Sequence, residues 1–154
     1  MLFVIRVVVV DWHCPLQEVP VGSGRCLKQG SDLAIVTLGP IGTEAAEAIA
    51  DVEKHLPGRS IAHYDLRFLK PLDDDLLCEV GENFKTIITV EDGVRLGGMG
   101  SAVLEWMNDH HYHPDVIRLG LPDTFVEHGT VAQLRHIVGI DAQTIAQTML
   151  TLLK

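Results

Sequence analysis

Residues 86–107 read TIITVEDGVRLGGMGSAVLEWM, a buried strand, a glycine-crowded turn and an amphipathic helix in one run. Thr86, Ile87, Ile88, Thr89 and Val90 are all β-branched, which suits a short strand covered on both faces, as in a parallel sheet packed between helices. Glu91 and Asp92 are read as ending that strand with charge. Gly93, Gly97, Gly98 and Gly100 let the backbone take positive φ or pass close to another element, and Ser101 is read as the start of a helix carrying Val103, Leu104 and Met107. A turn at the carboxyl end of such a strand is where open α/β sheets hold ligands or partners. Gly97, Gly98, Gly100 and Ser101 are therefore a candidate anion-binding or subunit-contact turn.

Working outward, Leu33 to Leu38 is a continuous apolar run bounded by Asp32 and Gly39, the pattern of a central strand. Gly39-Pro40-Ile41-Gly42 breaks it. Thr43 is placed to cap a helix with Glu44 in its first turn and Ala45, Ile49, Val52 and Leu56 on one face. Ser60 to Leu66 reads as the next strand, and Asp73-Asp74-Asp75 opens a short helix carrying Leu76, Leu77 and Val80. Asp115 to Leu121 is a further strand, Val131 to Val138 a short helix, and Asp141 caps a closing helix with Ile145, Met149 and Leu152. Arg25 to Lys28 reads as an edge strand, and Val7 to Val10 as a strand or extended lead-in. Alternating elements of this kind predict a three-layer α/β/α domain with a mainly parallel sheet in which the 33–37 and 86–90 strands are interior neighbours. Residues 1–32 are the least regular part, with Pro15, Pro20, Gly22, Gly24 and Gly30 too close together for a long element; 1–22 are read as a junction segment and 23–154 as the domain.

The 154 residues suffice for one self-supporting core. Cys14, Cys26 and Cys78 are an odd number without CxxC spacing, which argues for reduced thiols in a cytoplasmic protein rather than a disulfide or zinc framework. A net charge of −9 with no basic stripe argues against a nucleic-acid surface. The apolar run from Leu2 to Val10 contains Arg6 and is too short to span a bilayer.

No catalytic or metal-binding residue can be assigned from these patterns. GVRLGGMGS matches neither GxxxxGK[ST] nor GxGxxG, so phosphate binding competes with close helix packing or a subunit contact as the reason for its glycines. His110, His111 and His113 beside Asp109 carry metal-ligand chemistry, but the run ends in Pro114 and reads as an exposed loop. Glu127-His128, after Pro122-Asp123, pairs an acid with an imidazole in a turn suited to acid/base work, or to leading into a helix at Thr130.

Three stretches, GSDLAIVTLGPIGTEAAEA, DLRFLKPLDDDLL (Asp65 to Leu77) and VEDGVRLGGMGSAVLEWM, resemble the C-terminal domain of thiamine-diphosphate-dependent enzymes of the transketolase type. They are shared with β subunits of 2-oxo acid dehydrogenases. A fourth, GLPDTFVEHGT from Gly120 to Thr130, is similar to the 1-deoxy-D-xylulose-5-phosphate synthase branch of the family. The resemblance implies a five-stranded sheet with one antiparallel strand. It implies the last of three domains in an enzyme that condenses pyruvate with glyceraldehyde 3-phosphate, losing carbon dioxide. It further implies that thiamine diphosphate and Mg2+ are held by upstream domains and not by this chain, which alone is a scaffold and homodimer-forming unit without activity. The diphosphate-binding GDG of the first domain is missing, and Asp92-Gly93 is no substitute for it.

The segment ahead of this domain in the synthase branch resembles Ile-Arg-Tyr-Pro-Arg-Gly. Here Ile5-Arg6 runs into Val7-Val8-Val9-Val10, so Arg6 matches the first arginine, to which the resemblance gives a substrate-phosphate role, and the rest of the motif is missing. Two rival readings are a 2-oxo acid dehydrogenase β subunit and a free-standing module that binds a small anion at Gly97 to Ser101.

Overall fold

The computed structural model describes residues 18–153, so Arg6 and the Val7 to Val10 lead-in lie outside the described residues. Within them are five strands: β1 (Arg25–Lys28), β2 (Leu33–Leu38), β3 (Ile61–Asp65), β4 (Thr86–Val94) and β5 (Asp115–Leu121). Five helices join them: α1 (Gly42–His55), α2 (Asp74–Asn83), α3 (Met99–Asp109), α4 (Val131–Val138) and α5 (Ala142–Leu152). One sheet results, in the order β1-β3-β2-β4-β5, with β1 antiparallel to β3 and the other pairs parallel. As the apolar runs predict, β2 and β4 are adjacent in the interior, in register from Ala34 opposite Ile87 to Leu38 opposite Glu91.

Alternate residues of these strands serve two cores, which is why the runs are apolar throughout rather than every second residue. Leu33, Ile35, Ile88 and Val90 face α1 and α5, where Ile49, Val52, Ile145 and Met149 pack. Ala34, Val36, Tyr64 and Ile87 face α2 and α3, meeting Leu77, Val80, Val103 and Met107. The chain winds from β2 to β3 on one side and then crosses back to β4 on the other. The loops after β2 and β4 therefore diverge at the carboxyl edge, the crevice position of an open α/β sheet.

Local chemistry fixes the helix starts. The Asp73 carboxylate accepts the Leu76 amide at 2.9 Å, and that of Asp141 accepts the Thr144 amide at 3.1 Å. Thr130 and Gln133 form a reciprocal capping box ahead of α4, which ends at Gly139 in the left-handed region with φ 76°.

Three expectations are corrected. Thr43 does not cap α1; its hydroxyl donates to the Pro40 carbonyl at 2.9 Å, and α1 grows directly from a 3-10 turn at Gly39–Ile41. β4 does not end at Glu91 but runs to Val94, with a register shift against β5 between Val90 and Val94. Finally, α3 begins at Met99, before Ser101, for a reason that lies in Glu91. No helix among the described residues is long and apolar enough to cross a membrane.

Candidate functional site

Glu91 is the residue around which the carboxyl edge is built. It is 6% exposed, and its two oxygens accept the backbone N–H groups of Met99 at 2.8 Å and Gly100 at 2.9 Å. Gly98, the residue before α3, has no side chain to satisfy those amides, so a carboxylate from the preceding strand does it and complements the positive end of the helix dipole. The anion at this turn is the chain's own. The glycines serve the same arrangement: a Cβ on Gly98 would overlap the Val94 carbonyl and the Glu91 carboxylate, and one on Gly100 would lie 2.5 Å from Thr89 Oγ1. Only Gly97, exposed and at φ 77°, is a glycine for its backbone angle. Ser101 is held internally, its hydroxyl accepting from Gly97 N–H at 2.9 Å and from the Arg118 guanidinium at 2.8 Å.

Beside this turn, Arg135 of α4 donates to Glu44 Oε1 at 2.9 Å and to Asp92 Oδ2 at 3.4 Å, while Glu44 Oε2 accepts the Ala142 amide at 3.0 Å. One guanidinium thus clamps α4 to the start of α1 and the end of β4.

The acid and imidazole after β5 are not joined to each other. Glu127 and His128 are both exposed and share no hydrogen bond, and the segment leads through Gly129 into the capping box of α4. The histidine run does not converge either. His110 stacks on Trp106 with ring centroids 3.9 Å apart, His111 takes φ 62° and His113 is exposed. No group of three or more His, Cys, Asp or Glu suited to a metal ion occurs among the described residues.

A cleft that sequence reading missed opens between β1, β3 and the first turns of α1, with a volume near 640 Å³. Its floor holds His63, whose Nε2 lies 3.0 Å from Thr37 Oγ1, and its rim holds Arg25, whose guanidinium grips Asp65 at 2.9 to 3.0 Å. The sequence carried one faint signal of it: in IAHYD, His63 shares the parity of Ile61, which faces a core.

Burial holds the His63 imidazole below its ordinary pKa; the Asp65 charge opposes this and that of Arg25 adds to it. Below pH 6.5 the unfolded chain therefore binds a proton that the folded chain resists, so this histidine's contribution to stability is complete above 6.5 and is lost as pH falls toward the folded value. Urea melts of the natural chain should give lower stability at pH 5.5 than at 7.5, with a smaller difference in His63→Gln. An equal pH dependence in the two proteins would refute this assignment.

Residues 22–145 match the family model described as transketolase, C-terminal domain. Among curated proteins, the 1-deoxy-D-xylulose-5-phosphate synthase of Bacteroides thetaiotaomicron is 59% identical over 145 residues, covering 94% of this chain and 22% of that protein. The synthase of Cytophaga hutchinsonii is 48% identical over 92% of this chain and 22% of its own length. The chain thus spans about a fifth of the curated relatives it matches. Among solved structures, a chain described as a split-gene transketolase in an inactive β4 tetramer superposes with a TM-score of 0.79 at 32% identity, covering 95% of this chain and 47% of that one. Transketolase from Campylobacter jejuni has a TM-score of 0.58 at 14% identity, over 84% of this chain and 18% of its own, a likeness of fold alone. By fold and by sequence, the chain belongs to the transketolase C-terminal domain family.

Proposed function

We propose that residues 23–154 serve as the C-terminal domain of a 1-deoxy-D-xylulose-5-phosphate synthase, a cytoplasmic enzyme that condenses pyruvate with glyceraldehyde 3-phosphate and releases carbon dioxide. The observation that carries this reading is 59% identity to such a synthase across 94% of the chain. In this reading the domain is a scaffold. Its partners are the upstream domains of the same enzyme, and Arg6, just ahead of the domain, keeps a substrate-phosphate role as part of the proposal.

Thiamine diphosphate and Mg2+ belong to the upstream domains on this view, and the described residues do not fit them. The leading amides of the glycine-rich helix start are taken by Glu91, and the acids and imidazoles do not gather into a cation site. The test is a chimera in which residues 23–154 replace the corresponding last part of the Bacteroides thetaiotaomicron synthase. It should release carbon dioxide from pyruvate only when glyceraldehyde 3-phosphate is present, while the isolated chain gives no calorimetric heat with Mg2+ and thiamine diphosphate. A folded chimera without activity would overturn the synthase reading, and micromolar cofactor binding by the isolated chain would overturn the division of labour.

Self-association is the second part of the proposal. Val94 and Leu96, at the end of β4, are 55% and 59% exposed, and Leu104 on the outer face of α3 is 41% exposed, apolar area that the fold itself leaves uncovered. A twofold contact through this edge would repeat the same patch on both copies. Light scattering should show a dimer of the natural chain that Leu96→Asp weakens at least tenfold. A strict monomer, or a dimer indifferent to Leu96→Asp, would remove self-association from the proposal.

A further inference from the structure

The cleft beside β1 is not used by anything proposed above. Three features define what it would take. The first is the histidine at its floor. Thr37 Oγ1 lies 3.0 Å from His63 Nε2 and 3.2 Å from the Tyr64 carbonyl, and its single hydroxyl proton lets both contacts be hydrogen bonds at once only when Thr37 donates to Tyr64 and Nε2 carries the ring proton. Nδ1 is then a lone-pair acceptor. It has no partner among the described residues although His63 is only 3% exposed. The ring lines the cleft.

The second feature is electrostatic. Both cations at the rim are already matched: Arg25 by Asp65, and Lys28 by Glu53 at 2.7 Å and the Ile61 carbonyl at 3.0 Å. At the nearby start of α1, Pro40 has no N–H and the Gly42 N–H is turned back to the Gly39 and Pro40 carbonyls. A phosphate or carboxylate would find no unpaired positive charge here. The third is shape and lining. The volume near 640 Å³ falls within the range typical of small-molecule sites, roughly 300–1,000 Å³, and Leu27, Pro40, Ala46 and Ile49 supply apolar walls.

We propose that this cleft binds a small uncharged molecule, mostly apolar, that gives one N–H or O–H donor to His63 Nδ1. A buried acceptor discriminates strongly against a ligand lacking the donor, since the acceptor then loses its water without replacement.

The test is histidine ring NMR on the 154-residue chain, with the His63 signal assigned by its loss in His63→Leu. Two probe pairs differ only in the donor: phenol against anisole, and indole against 1-methylindole, with inorganic phosphate as the charged control. Phenol and indole should shift the His63 signal saturably, each binding at least fivefold tighter than its methylated counterpart. Phosphate should leave it unmoved. Ala46→Phe, at an exposed position of α1 that lines the cleft, should abolish the shifts while leaving the fold intact, and this variant serves even if His63→Leu does not fold. Absence of a saturable shift with any probe, equal affinity within the pairs, tighter binding of phosphate, or unaltered binding in Ala46→Phe would each overturn the proposal.

Discussion

Glu91→Ala should lower the unfolding free energy by about 3–5 kcal/mol, since hydrogen bonds to a charged group contribute about 1.5–3 kcal/mol each and this carboxylate accepts two. The cause is local and specific. Truncation strips the Met99 and Gly100 amides of their partner at a position where both residues are buried and water cannot take over. Glu91→Gln should fall between the two, because the amide keeps one acceptor oxygen but turns its NH2 toward a second donor. Glu105→Ala, on the exposed face of the same helix, should change stability by less than about 0.5 kcal/mol. With total stabilities of domains in the range of about 5–15 kcal/mol, the Glu91→Ala protein would be marginal at 37 °C. Urea denaturation followed by circular dichroism measures all three, and a loss below about 1 kcal/mol for Glu91→Ala would mean that Glu91 is not the cap of α3.

The same carboxylate marks the boundary between what the sequence made legible and what it hid. The strands β2 and β5, the bounds of α4, the acidic start of α2 and the cap at Asp141 are written in short-range patterns: a β-branched or apolar run, or an acid followed by helix periodicity. Such patterns need no partner distant in the chain. Glu91 needed one. As a charged residue after five β-branched ones it reads as a stop signal, and only the return of α3 onto β4 reveals it as buried. The glycines of 97–100 left their alternatives open for a related reason, because glycine composition does not distinguish room for a ligand from close approach of the chain to itself. The His63 cleft was hidden by register. Its partner, Thr37, lies 26 positions away and meets it only because β2 and β3 pair in parallel with Ile35 opposite His63 and Thr37 opposite Asp65. Glu127 and His128 show the converse, neighbours in sequence whose side chains share no hydrogen bond.

Gly98→Ala should be at least as disruptive as the loss of Glu91, and for a reason that separates internal packing from subunit contact. The added methyl would overlap the Val94 carbonyl oxygen, which is backbone and cannot swing aside, and would press within 2.7 Å of Glu91 Oε1. Relief requires either moving the end of β4, after which the Arg95 N–H is tied to the Leu121 carbonyl of β5 at 2.9 Å, or withdrawing the carboxylate from α3. Either route breaks the Glu91 cap, so the expected loss is about 3–5 kcal/mol, the upper end of what single substitutions do. Combining Gly98→Ala with Glu91→Ala should then add little to either alone, because both destroy one arrangement. If Gly98 instead mattered only as a contact between copies, Gly98→Ala would lower the association constant and leave the unfolding free energy of the monomer unchanged. Denaturation at low micromolar and at high protein concentration distinguishes the two: a stability loss that is the same at both concentrations supports the internal role, and a loss confined to the high concentration refutes it.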